Sequence, residues 1–179
     1  MRTVRGEAKR VKGVTMSGED VVPFPVYWDR QTWELSRSAY LADFDDLPSS
    51  PSSWVSWLQE ALECHVRRSA QVRMTLEVAP PERRAKGSRQ ELERAGKPQE
   101  GFSKTHLLPR ELIVDIERAI SDDRREAGRM VSRSAFARES VVAAVEQTRA
   151  RRGSRGLPPA PARLPNRPPR RPSDAGTAV

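Results

Sequence analysis

The 179-residue chain predicts a mainly α fold with a short antiparallel β-ribbon and basic tails that do not pack. Three observations carry this. Two short extended runs each lead into a helix signal. Each is then followed by a second amphipathic segment. The two strand–helix–helix patterns are also offset by similar amounts: Trp28 and Leu108 are 80 positions apart, and the second-helix starts Ser52 and Ser134 are 82 apart. An offset of that kind is the mark of an internal repeat, here in architecture more than in letters. A strand and two helices in under fifty residues cannot bury an apolar face alone, so each unit needs a partner.

Residues 1–20 lack periodicity and read as a disordered basic arm. In Val21–Trp28 (VVPFPVYW), Val22, Phe24, Val26 and Trp28 share one face, and Pro23, Pro25 and Tyr27 the other. Proline argues against a strand because it cannot donate to the ladder. These two are spaced by two, so both missing donors fall on one edge, which a two-stranded ribbon leaves free. Asp29 then caps a helix that brings Trp33, Ala39, Tyr40 and Phe44 near a common face. The acidic DFDDLPSSP breaks that helix. Ser52 and Ser53 open another, with Trp54, Leu58, Ala61, Leu62 and His65 on one stripe. Residues 21–70 form the first unit, and its tryptophans at helical spacing read as core.

Residues 71–100 read as a polar linker, with an alternating start, VRMTLEV, that has the pattern of an extra strand. The second unit spans 101–150. A run from Ser103 to Leu108 ends at Pro109, whose fixed φ suits a first helical turn. Leu112, Ile113, Ile116 and Ile120 recur at helical spacing. A polar hinge with Gly128 and Ser132 leads to a helix from about Ser134, striped by Phe136, Val141, Ala144, Val145 and Thr148. Residues 151–179 form an Arg/Pro-rich tail. The linker is long enough for the two strands to pair within one chain as a pseudo-dimer, or each with its equivalent in a second chain.

KTHLLPREL, the Gly-containing turn, SRSAF and the alanine- and valine-rich helix after it resemble the ribbon-helix-helix DNA-binding family, over about fifty residues. The resemblance implies two strands paired into an antiparallel ribbon that enters the major groove of double-stranded DNA. It makes Ser103, Lys104, Thr105 and His106 the candidate base-reading residues. Here the chain departs from the family: Leu107 and Leu108 are adjacent, which breaks the alternation. Either Ser103, Thr105 and Leu107 face the groove, or Lys104 and His106 do, with Thr105 near the groove and Lys104 on its rim. The resemblance also implies a phosphate held at the start of the second helix. Its free N–H groups and positive dipole end attract anions, and Arg129, Ser132, Arg133 and Ser134 are the candidate phosphate-binding residues. The competing reading is a plain serine cap with solvated arginines. Pro23, Pro25 and Tyr27 make the first unit a poor base reader.

The first unit resembles, in particular, plasmid centromere-binding partition proteins of high-GC bacteria. That implies a DNA-binding adaptor whose flexible basic end engages a ParA-type ATPase. A transcriptional repressor, an antitoxin with a cognate toxin as partner, and a relaxosome accessory of conjugative transfer are the alternatives.

Charge placement agrees with a polyanionic partner. The net charge of +8 is concentrated at the ends: +2 in residues 1–20 and +6 in 151–179, with the intervening residues summing to zero. No enzyme is expected, because no phosphate-cradling glycine loop, metal-ligand spacing or nucleophile with its base is present. No metal or cofactor is expected either, with two histidines and one cysteine far apart. The lone Cys64 points to a reducing compartment, and no stretch reaches the roughly 18 apolar residues of a membrane span. The expected location is therefore cytoplasmic, on a nucleoid or plasmid.

Overall fold

The computed structural model describes residues 20–76 and 101–166. They run β1 (Val21–Asp29), α1 (Arg30–Asp46), α2 (Trp54–Val66), α3 (Ala70–Thr75), β2 (Gly101–Pro109), α4 (Arg110–Ala127) and α5 (Arg133–Arg152), followed by a 3-10 turn at Gly153–Arg155. The described residues are thus mainly helical, with a two-stranded antiparallel ribbon in which β1 pairs with β2 of the same chain.

The prolines of β1 fall where the ribbon needs no donor. Tyr27 N–H leaves the ribbon to donate to Ser134 Oγ at 3.0 Å, so that edge of β1 faces away from β2. Pro23 and Pro25 lie four and two residues earlier, and a period of two puts their ring nitrogens on the same edge. The strands overlap completely. Val21 faces Pro109, Pro25 faces Thr105 at the centre, and Asp29 faces Gly101. Two antiparallel strands in full overlap have a local two-fold point at their central pair. A half-turn there carries each β1 residue onto the one 80 positions later, and the first helices, opening at Arg30 and Arg110, keep the same offset.

Helix starts follow the side chains that cap them. Asp29 Oδ1 accepts from Thr32 N–H at 2.7 Å, Ser53 Oγ from Ser56 N–H at 3.1 Å, and Ser132 Oγ from Ala135 N–H at 3.1 Å. Helix α4 ends at Gly128, whose φ of 65° lies in the left-handed region that closes many helices. Helix α1 packs across onto α5, and α2 onto α4 and α5, so each half closes over the other. A single core results, with Phe24, Val26, Trp28 and Leu108 from the ribbon meeting Tyr40, Leu58, Leu62, Ile116, Phe136 and Val141. Every position on the expected α2 stripe, from Trp54 to His65, is buried.

Two stretches differ from the sequence reading. The start of the expected linker is helical: Ser69 Oγ accepts from Val72 N–H at 3.4 Å, and the turn carries Arg73 inward instead of extending Val72 to Leu76 as a strand. The first half of the expected tail is packed against α1. Tyr40 Oη donates to Pro165 O at 2.7 Å, Arg37 Nη2 donates to Pro161 O and Ala162 O, and Leu157 and Leu164 lie on the core. A proline-rich segment has few N–H donors, yet its carbonyls accept freely, and α1 supplies the donors. The rest of the linker, the arm through residue 19 and the tail from 167 lie outside the described residues.

Candidate nucleic-acid interface

The register fixes which side chains the ribbon presents. Phe24, Val26, Trp28, His106 and Leu108 point into the core, while Pro23, Pro25, Ser103, Thr105 and Leu107 are exposed on the other side and Tyr27 is half-buried there. The parity left open by the Leu107–Leu108 pair is therefore the one with Ser103, Thr105 and Leu107 outward. β2 begins with a glycine because the strands approach closely at that end. A Cβ on Gly101 would lie 2.5 Å from Trp28 O and 2.6 Å from the Tyr27 hydroxyl oxygen.

Lys104 has the inward parity but is exposed. Its ammonium lies 4.6 Å from the centre of the Trp33 ring, a cation–π contact on the side of the ribbon that carries the tryptophans.

His106 does not belong to the outward set, and the expectation that it reads bases is corrected here. It is 3% exposed and lies between the Trp28 and Trp54 rings. Trp28 Nε1–H donates to His106 Nε2 at 3.1 Å, which requires the neutral imidazole with its proton on Nδ1. Burial, and secondarily the charge of Lys104, push its pKa down to about 4.

The candidate phosphate residues divide in the same way. Ser132 caps α5. The N–H groups of Arg133 and Ser134 have no hydrogen-bond partner among the described residues, and they open the helix beside the ribbon edge at Tyr27. Ser134 contributes its hydroxyl oxygen to Tyr27. Arg133 is half-exposed and ion-paired with Glu117. Arg129 is corrected: it is 8% exposed and is committed to Asp123, at 3.2 Å, and to Glu139.

That commitment is part of a buried ionic chain joining both halves. Arg73 Nε donates to Asp123 Oδ1 at 2.8 Å and Arg73 Nη2 to Ala119 O at 3.0 Å, while Nη1 reaches Val66 O and Arg68 O at the end of α2. Beyond Arg129 and Glu139 the chain reaches His65, whose Nε2 is 3.6 Å from Glu139 Oε2. Arg68 donates to His65 Nδ1 at 2.9 Å, so the ring's own proton is on Nε2, facing Glu139; burial lowers the His65 pKa. The chain pins the α4–α5 connection through Arg129 and thereby sets where the N-terminus of α5 opens.

No protein-family model, curated protein or solved structure matches this chain. Among the described residues no helix is long and apolar enough to cross a membrane.

Proposed function

We propose that this chain is a sequence-specific double-stranded DNA-binding protein, built as two tandem ribbon-helix-helix units, that lays its intrachain ribbon in the major groove and acts as a centromere-binding adaptor in plasmid partition. The observation that carries the reading is the outward ribbon face. Ser103 and Thr105 stand on it, beside the open N-terminus of α5. Two strands about 5 Å apart match a groove about 12 Å wide, and hydroxyls are groups that read base edges. The free N–H groups at α5, with Arg133, suit a phosphate on the flank.

The unequal halves favour partition over a palindromic operator. At positions related by the local two-fold, one strand offers Pro23, Pro25 and Tyr27 and the other Ser103, Thr105 and Leu107. One chain therefore presents two different half-readers and suits an asymmetric site, of the kind repeated head to tail in an array. In this reading the basic ends serve non-specific phosphate attraction and the ParA-type ATPase.

Genomic footprinting tests it. Protection of several spaced direct repeats, cooperative and steeply salt-dependent, is the expected result. A lone palindrome at a promoter would instead make the protein a repressor, release by a toxin an antitoxin, and protection at a transfer origin a relaxosome accessory.

Arg133→Ala is expected to weaken binding to all sequences alike and to flatten the salt slope by about one unit, read by anisotropy titrations across salt concentrations. The Arg133–Glu117 pair is half-exposed and of a kind worth roughly 0–1 kcal/mol, so Arg133 exchanges it for a phosphate at little cost. Glu117→Gln should for that reason tighten binding. Unchanged affinity of Arg133→Ala at every salt concentration rules out the phosphate seat.

A further inference from the structure

The outward face is graded along its length. At one end Ser103 stands across from Tyr27; at the other Leu107 stands across from Pro23, with Pro25 against Thr105 between them. Leu107 is 58% exposed. A single exposed leucine is ordinary. This one, however, is at the same parity as the two hydroxyl side chains and completes their row. Apolar side chains thus occupy half of the surface offered to the groove.

We infer that Leu107, backed by Pro23, contacts the C5-methyl group of a thymine, so that the bound site requires a thymine beneath this end of the ribbon. The inference rests on the ribbon lying in the major groove. There the thymine methyl is the apolar group that a base pair presents, and apolar side chains are its readers. A duplex, not a second copy of this chain, is the occupant the surroundings suit. The exposed Arg30 and Arg110 open the first helices at the two ends of the ribbon, Arg110 in an exposed pair with Asp20. Strand addition at the open edge of β1 is blocked, because Pro23 and Pro25 have no N–H and that of Tyr27 is taken by Ser134.

The experiment uses the full chain and a duplex it selects from a randomised library. Each thymine of that duplex is replaced singly by deoxyuridine, which removes the methyl and leaves every hydrogen-bonding group. Binding is expected to weaken about three- to five-fold at one or two thymines, the size of one buried methyl, and to be unchanged at the others. Leu107→Ala is expected to bind the thymine and deoxyuridine duplexes equally, at the weaker level. Because Leu107 is exposed, the variant should melt with the wild type, and the wild-type deoxyuridine series is decisive even if it does not. Selection of a duplex that tolerates deoxyuridine everywhere overturns the methyl contact while leaving DNA binding standing. Failure to select any duplex overturns the DNA-binding reading itself. Loss of self-association in Leu107→Ala without DNA would show the face to be a protein contact and overturn the inference.

Discussion

Asp123→Ala is expected to destabilise the protein by about 3–5 kcal/mol, the usual cost of removing one partner from a buried ionic group. Asp123 is fully buried and holds two guanidinium groups, Arg73 at 2.8 Å and Arg129 at 3.2 Å, both nearly buried themselves. Without the carboxylate, two cations face each other with Glu139 as the remaining near anion. The loss should appear in urea unfolding as a lower midpoint with an unchanged slope. A double-mutant cycle with Arg73→Met separates the pair from the stranded charge: removing both should cost less than the two single losses added together. A loss below about 1 kcal/mol in Asp123→Ala would mean that these charges are solvated and the halves are not joined this way. Because the ionic chain runs through Arg129 to the start of α5, the variant should, under the proposed function, also bind DNA less tightly than its residual folded fraction accounts for.

Most of the architecture was legible because local signals and tertiary need agreed. Asp29, Ser53 and Ser132 cap the helices, and the prolines of β1 are tolerated for the reason their spacing gives. The similar offsets made β2 one candidate partner of β1, with each strand's equivalent in a second chain as the other, and the register shows the first. Strand parity was not legible, because both Leu107 and Leu108 are apolar and only burial separates them. A clue existed in Trp28. Its indole N–H, buried in a ribbon core, needs an acceptor, and His106 is the polar side chain two residues before Leu108 that can supply one.

Other failures have a different cause. Arg129, Asp123 and Glu139 meet across a helix connection at spacings of six and ten residues. Those are not helical intervals, so the arginine looked like a free cation beside a hinge. Arg73 lay in a polar stretch without a stripe, and its burial depends on carbonyls at the end of α2 that no pattern in its own segment announces. The proline-rich stretch after α5 reads as unpacked from its Arg/Pro-rich composition. Its order comes from Arg37 and Tyr40, more than a hundred positions earlier. Non-local polar partnerships are what a single sequence hides best.

Acid is expected to unfold the protein in a window set by His106. Its pKa is about 4 in the folded chain and near 6.5 in an unfolded one, so between these values the unfolded state binds the extra proton. Stability is therefore full above about pH 6.5 and falls as pH drops toward 4, by up to about 3 kcal/mol from this group. The physical reason is specific. A proton on Nε2 replaces the acceptor that Trp28 Nε1 uses, and puts a cation among tryptophan rings with Lys104 close by. Burial shifts His65 in the same direction, although Glu139 opposes it. His106→Gln keeps an acceptor for Trp28 and removes the titration. Its unfolding free energy between pH 7 and 4.5 should decline less steeply than the wild type's, while the two approach each other at low pH. Parallel curves would mean that His106 titrates as an exposed imidazole, and the ribbon would then have to be turned over, with Lys104 and His106 on the groove side.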